Sequence, residues 1–163
     1  GISFREQYRT TPRIGRESAG EEPVWNHDER IEHNVIANNR DAQVWGWFDV
    51  DDERHWPREL QEKASGESLS LEKLRIRFAN NLYAIADEEP LFIWGPGWAR
   101  RVTYKTLSQL RQSLGFERGG RVTTAEFANY AARDFRLPAG SAAFRMKCYP
   151  RGDVPGVSLG VRK

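Results

Sequence analysis

Two sets of residues in this chain have the type and spacing to do chemistry. The larger set is cationic. Residues 91–163 hold 13 Lys and Arg against 4 Asp and Glu, a net charge of +9, whereas residues 1–90 hold 12 against 19, a net of −7. The formal total of +2 hides this division. A basic half of this kind suits an anionic polymer or surface. Twenty of the 25 cations are arginine, whose planar guanidinium takes two phosphate oxygens at once. The smaller set is His27, His33 and His55 among acidic residues, with Asn80 and Asn81 further on. In "HDERIEH", Glu29 and His33 lie one helical turn apart, but His27 and His33 do not share a face. Three or four ligands do not come together there, so neither a metal nor another cofactor is expected. Cys148 has no histidine near it in sequence and reads as a small buried hydrophobe.

The remaining composition bounds the class. A chain of 163 residues with 39% hydrophobic and 12% aromatic content can bury a core without staples. No apolar run approaches a membrane span, and no signal-peptide pattern opens the chain, so no membrane partner is expected. One cysteine allows no internal disulfide, which favours an intracellular setting, in cytoplasm, nucleoid or nucleus. The six tryptophans read as core or as a self-association surface. Trp94 and Trp98, which flank a Gly-Pro-Gly turn ahead of Arg100 and Arg101, have the setting of a base-stacking platform. "RGD" at 151–153 reads as a chance match in a turn.

These residues need elements to position them. Residues 1–22 read as a polar arm, and residues 23–67 as an acidic, aromatic-rich N-terminal part containing a strand at 42–50. Residues 68–163 form the basic part. Within it, Leu71, Leu74, Phe78, Leu82 and Ile85 recur at spacings of three and four, which predicts a helix starting at Ser70. A short strand follows at 91–94. The next helix carries Leu107, Leu110 and Leu114 on one face and ends at Gly115. Thr123 and Glu126 have the spacing of a capping box for a third helix that buries Phe127, Ala128, Ala131 and Phe135. Leu74, Phe78, Leu110, Phe127 and Phe135 are the expected core. From residue 144 to 163, period-two alternation on either side of a Pro/Gly loop predicts a β-hairpin. No internal repeat is read from the sequence.

The order helix, strand, helix, helix, β-hairpin over residues 70–163 resembles the winged-helix superfamily, so the expected fold class is α+β with a winged-helix-like C-terminal part. The resemblance implies a third helix that enters the major groove and a hairpin wing that touches phosphate. The implied nucleic-acid surface is Asn129, Arg133 and Arg136 on that helix, Arg118 and Arg121 in the loop before it, and Arg145, Lys147 and Arg151 on the wing. "DDERHWP" followed by "RFANNL" resembles, more weakly, the HNH nucleases, in which His55 would be the base and Asn80 or Asn81 the second element. That pattern lacks its paired residue, because Arg54 precedes His55. The expected function is therefore nucleic-acid binding without catalysis, with duplex DNA preferred over RNA and a role in transcription, replication or genome maintenance. The alternatives are a protein-interaction or assembly module, with the acidic N-terminal part as a protein contact, and a metal-dependent nuclease.

Overall fold

A computed structural model describes residues 1–6, 9–12, 21–24, 27–48, 75–85, 89–96, 102–124, 127–152 and 155–162. In chain order the elements are β1 (Ile2–Glu6), β2 (Arg9–Pro12), β3 (Glu21–Val24), β4 (Arg30–Glu32), β5 (Val35–Ala37), β6 (Val44–Phe48), β7 (Arg77–Ala79), β8 (Leu82–Ala84), β9 (Phe92–Pro96), β10 (Val102–Tyr104), α1 (Leu107–Leu114), β11 (Arg121–Thr123) and α2 (Ala142–Arg145). Their pairing is mostly parallel. β4 lies on β7, β5 on β8 and β6 on β9, so one strand–turn–strand–strand unit stacks on the next. β1 extends the stack on the far side of β6, and β11 extends it on the far side of β8. This is the architecture of a solenoid, in which each coil touches only its neighbours.

The repeat has a local cause. Arg30-Ile31-Glu32-His33-Asn34-Val35-Ile36-Ala37 and Arg77-Phe78-Ala79-Asn80-Asn81-Leu82-Tyr83-Ala84 pair residue for residue, 47 positions apart. His33 and Asn80 both take left-handed φ, 57° and 56°, and bend the chain between the two strands of each unit. Gly119 takes φ 77° at the same corner of the third coil, where a Cβ would strike the Asn80 side chain. Strand alternation then sends neighbouring side chains to opposite faces. Ile36 and Tyr83 point into the main core with Phe78, Val44, Phe92, Trp94 and Phe116, while Leu82 points the other way to Leu137, Ala143 and Phe144, with Val35 against the same cluster. With both faces covered, these short strands are apolar throughout.

In the four-stranded sheet β1-β6-β9-β10, Gly46 is the register partner of both Phe4 and Trp94. A Cβ on Gly46 would fall within the Trp94 indole, and its absence lets the Phe4 and Trp94 rings stack at 5.7 Å and 22°. At the other end β10 turns back antiparallel to β9, and α1 closes over the core with Leu110 fully buried. A capping box between Thr106 and Gln109 starts α1, and a left-handed Gly115 ends it.

The winged-helix expectation is overturned. Among the described residues α1 and α2 are the helices, of eight and four residues, and the others lie in strands, turns and irregular segments. The stripe assigned to a helix from Ser70 runs into β7 and β8. Its three- and four-residue spacing mimics a helix because the left-handed corner at Asn80 interrupts the two-residue alternation. In place of a third helix, Asn129 and Asp134 close a tight turn, and Phe135 and Leu137 donate their N–H groups to Ser158 and Gly160. Ser158 to Val161 thus runs parallel to this segment instead of returning as a wing, and Phe144 sits in α2. The α1 helix and strands at β6 and β9 lie where the sequence puts them. Of the expected core, Phe78 and Leu110 are buried, Phe127 and Phe135 are half-buried, and Leu74 lies outside the described residues. Gly1 to Glu22 contributes β1 and β2, and pairs such as β4–β7 cross the expected boundary at 67/68.

The Gly46 gap gives a direct test. Gly46→Ala should destabilise the chain by about 2 kcal/mol, as overpacking of a filled core does. Thermal melts should show Trp94→Leu restoring part of that loss in the Gly46→Ala background. Additive losses would contradict the shared gap.

Candidate functional site

The corner that bends each coil is also where its polar side chains stack, exposed at Asn34 and fully buried at Asn81 and Glu117. Asn34, Asn81 and Glu117 form a ladder along the stack. Asn34 donates its N–H (2.9 Å) and Nδ2 (3.1 Å) to Asn81 Oδ1. Asn81 passes the same pair of hydrogens to the next coil, Nδ2 to Glu117 Oε1 at 2.7 Å and N–H to Glu117 Oε2 at 3.3 Å. Its Nδ2 also reaches Ile31 O at 2.7 Å, so this fully buried amide joins three coils. Glu117 takes the place of the next asparagine. Gly120, which stands at the corner position of that coil, has no Cβ to obstruct the carboxylate.

The Glu117 carboxylate is held firmly. Tyr83 donates its hydroxyl to Oε1 at 2.6 Å, and Arg111 of α1 donates to the backbone oxygens of Glu117 (3.0 Å) and Gly120 (2.8 Å). Burial pushes the Glu117 carboxyl above the usual carboxylate range, and the hydrogen bonds from Tyr83 and Asn81 offset only part of that. Burial, then the Glu117 charge, push the Tyr83 phenol up. A buried acid facing a phenol has the look of catalytic machinery, but nothing reaches it from solvent: Tyr83, Asn81 and Glu117 are all fully buried. It is a structural terminus.

The expected nucleic-acid residues divide into two groups. Asn80 donates its N–H to Arg118 O and accepts the Cys148 thiol on its own carbonyl, and Lys147 precedes that cysteine. Arg121 is the register partner of Leu82, which packs with Phe144; Arg145 adjoins Phe144, and Arg151 lies 5.7 Å over its ring. Arg118, Arg121, Arg145, Lys147 and Arg151 therefore surround one corner, and all are exposed. Asn129, Arg133 and Arg136 sit on the turn beyond it, where Arg136 is held by Asp134 at 2.5–2.8 Å and keeps that carboxyl down near 2. No described carboxylate pairs with Arg118, Arg121, Arg133 or Lys147, whereas Arg75 pairs with Asp28 and Arg77 with Glu32. His55 lies outside the described residues. Asn80 is a left-handed corner residue between β7 and β8 and not part of the helix expected from Ser70. Cys148 is half-buried, and burial pushes its thiol up, away from nucleophile chemistry.

Sequence reasoning missed Asn34 and Glu117, and named Asn81 only as a candidate for the nuclease alternative. The signal was the shared string Arg-apolar-x-x-Asn-apolar-apolar-Ala at residues 30–37 and 77–84. Comparison of the chain with protein-family models, with curated proteins and with solved structures finds no match.

Two outcomes follow from the ladder. Asn81→Ala strands the Asn34 N–H and the Ile31 carbonyl and takes one of three donors from the Glu117 carboxylate, and should cost about 3 kcal/mol in urea unfolding. Glu117 holds its proton more tightly folded than unfolded, so its contribution to stability is complete below the ordinary value of 4.5 and is lost as pH rises through the raised folded value. Urea midpoints from pH 4 to pH 8 should therefore fall for the wild type relative to Glu117→Gln. Parallel curves would mean that the carboxyl titrates alike in both states.

Proposed function

We propose that this chain is a non-catalytic module that binds an extended polyanion, with nucleic acid as the first partner to be tested. The observation that carries this reading is the set of exposed cations, Arg118, Arg121, Arg145, Lys147 and Arg151, gathered around one corner from three segments of chain, with Arg133 on the adjoining turn. The acidic residues described from Val102 to Arg162 are Glu117, which is buried, and Asp134, which is engaged by Arg136. A cationic surface with so little internal neutralisation favours a ligand that brings its own charges.

The mode of contact differs from the sequence expectation. Residues 127–137 form turns and bridges and no helix that could carry Asn129 and Arg133 into a major groove, so base-edge reading by these two loses its support. Contacts to phosphates remain. They are sequence-independent, and they suit a flexible single strand as well as a duplex. An acidic polysaccharide offers the same spacing of anions without bases, and it is the control that separates phosphate from carboxylate chemistry.

Binding should be measured against generic duplex DNA, single-stranded DNA and a polyuronate across a salt series. Replacing Arg118, Arg121 and Lys147 with alanine should weaken binding equally across DNA sequences. It should flatten the log–log salt slope by about 0.9 per lost contact on duplex and about 0.7 on single strands. Plasmid incubated with Mg²⁺ should stay uncut, in the wild type and in His55→Ala alike. Unchanged affinity and slope in the triple variant would remove the polyanion reading, and metal-dependent cleavage lost in His55→Ala would replace it with a nuclease.

A further inference from the structure

The two ends of the corner ladder are unlike. At one end Glu117 receives the hydrogens of Asn81, and α1 and the antiparallel β10 close over the core. At the other end Asn34 gives its hydrogens to Asn81 and Glu32 O, yet no described residue donates to Asn34 Oδ1. β4 and β5 are the outermost strands of their sheets. Leu82 N–H donates to Asn34 O and Asn38 N–H donates to Ala84 O, so residues 34, 36 and 38 turn their peptide groups toward β8. The peptide groups of Val35 and Ala37 consequently face away from it, along an edge that no described strand pairs with.

A cleft of about 340 Å³ at that edge is lined by Asn34, Val35 and Ala37, by the aromatic Phe127, Tyr130 and Phe135, and by Gly1 and Ile2 at the start of β1. The three rings brace one another, with centroids 5.5–6.0 Å apart, and Tyr130 is 59% exposed. On the strands already present, Leu137 and Phe144 cover the outward side chains of Val35 and Leu82. The aromatic wall continues that cover beyond β5, over the place where another strand would present its own outward residue.

We infer that this edge receives one more strand–turn–strand segment, a polypeptide from outside these 163 residues, running parallel to β4 and β5 with an asparagine at its corner. The coil-to-coil interface within the molecule specifies its chemistry. Asn34 stands to the incoming asparagine as Asn81 stands to Asn34, its Oδ1 taking the corner N–H and Nδ2 of the occupant. Val35 and Ala37 exchange backbone hydrogen bonds with it, as an added strand requires. The residue after the asparagine is apolar and lies under Tyr130. The occupant thus reads apolar-x-x-Asn-apolar-apolar, the pattern of residues 31–36 and 78–83. A nucleobase on Tyr130 would leave Val35 and Ala37 unpaired. A second copy joined edge to edge would run antiparallel and leave both Asn34 acceptors empty.

The test uses the full chain and a labelled peptide with the sequence of residues 74–86. The peptide should bind saturably, with little salt dependence, and replacing the asparagine that corresponds to Asn81 with alanine should weaken it about ten-fold. Val35→Pro should abolish binding, because it removes an N–H that no described strand uses, and it should lower the melting temperature of the free chain only by the Val35 packing it trims from the Phe144 cluster. Tyr130→Ala, a surface truncation, should weaken binding whether or not the proline variant folds. Absence of saturable binding at about millimolar peptide, or equal binding of the alanine peptide, would overturn the inference. So would displacement of the peptide by an oligonucleotide, or a free chain that sediments as a dimer dissociated by Val35→Pro. None of these outcomes bears on the salt slope of the basic corner, so the two proposals fail separately.

Discussion

The buried amide of Asn81 joins three successive coils, accepting from Asn34 on one side and donating to Ile31 O and Glu117 on the two sides in turn. Parallel strands of three residues have little backbone pairing of their own, so a fold made of them needs a device that holds register. A slip of one residue would carry Tyr83 out of the main core and Leu82 into it, and would also leave a buried amide without partners. Hydrophobic burial and polar satisfaction select the same register. The left-handed corners at His33, Asn80 and Gly119 are what bring the ladder positions over one another.

The same corner organises the surface. The chain after β11 folds back over the outward face of β5 and β8, where Leu137, Ala143 and Phe144 cover Leu82. Met146 O meets His33 Nδ1 at 2.9 Å, and the Cys148 thiol meets Asn80 O at 3.1 Å, so this cover is anchored on two successive corners. Tyr149 adds a third anchor, its hydroxyl donating to Phe135 O, with burial pushing that phenol up to about 12. Anchoring of this kind fixes where the exposed Arg145, Lys147 and Arg151 of the cover project. One end of the stack is closed by Glu117 and α1, and at the other end no described strand pairs with β5 on its side away from β8.

Some of this was legible in the sequence. The strands β6 and β9 were, because Val44-Trp45-Gly46-Trp47-Phe48 and Phe92-Ile93-Trp94 are β-branched and aromatic between turn residues. So was α1, with its leucine stripe and terminal glycine. The repeat was not, since of eight paired positions only Arg30/Arg77, Asn34/Asn81 and Ala37/Ala84 are identical, and the intervening residues differ in size and charge. The alanine-rich stretch after Thr124 has good helix propensity, but the pairing of Phe135 and Leu137 with Ser158 and Gly160 supplies long-range hydrogen bonds that propensity cannot register. Exposure of the basic residues followed from their type. Their convergence did not, because it depends on which coil lies above which.

The central claim is the parallel stacking of residues 30–37 on residues 77–84. Arg30 and Arg77 are exposed register partners, and neighbouring parallel strands hold their Cα atoms at a separation a disulfide can span. In a Cys148→Ser background, Arg30→Cys with Arg77→Cys should oxidise to an intramolecular disulfide, detected by mobility on a non-reducing gel and by peptide mass, with the native circular dichroism retained. Failure to form it in the folded chain, or formation only between molecules, would contradict the stacked register.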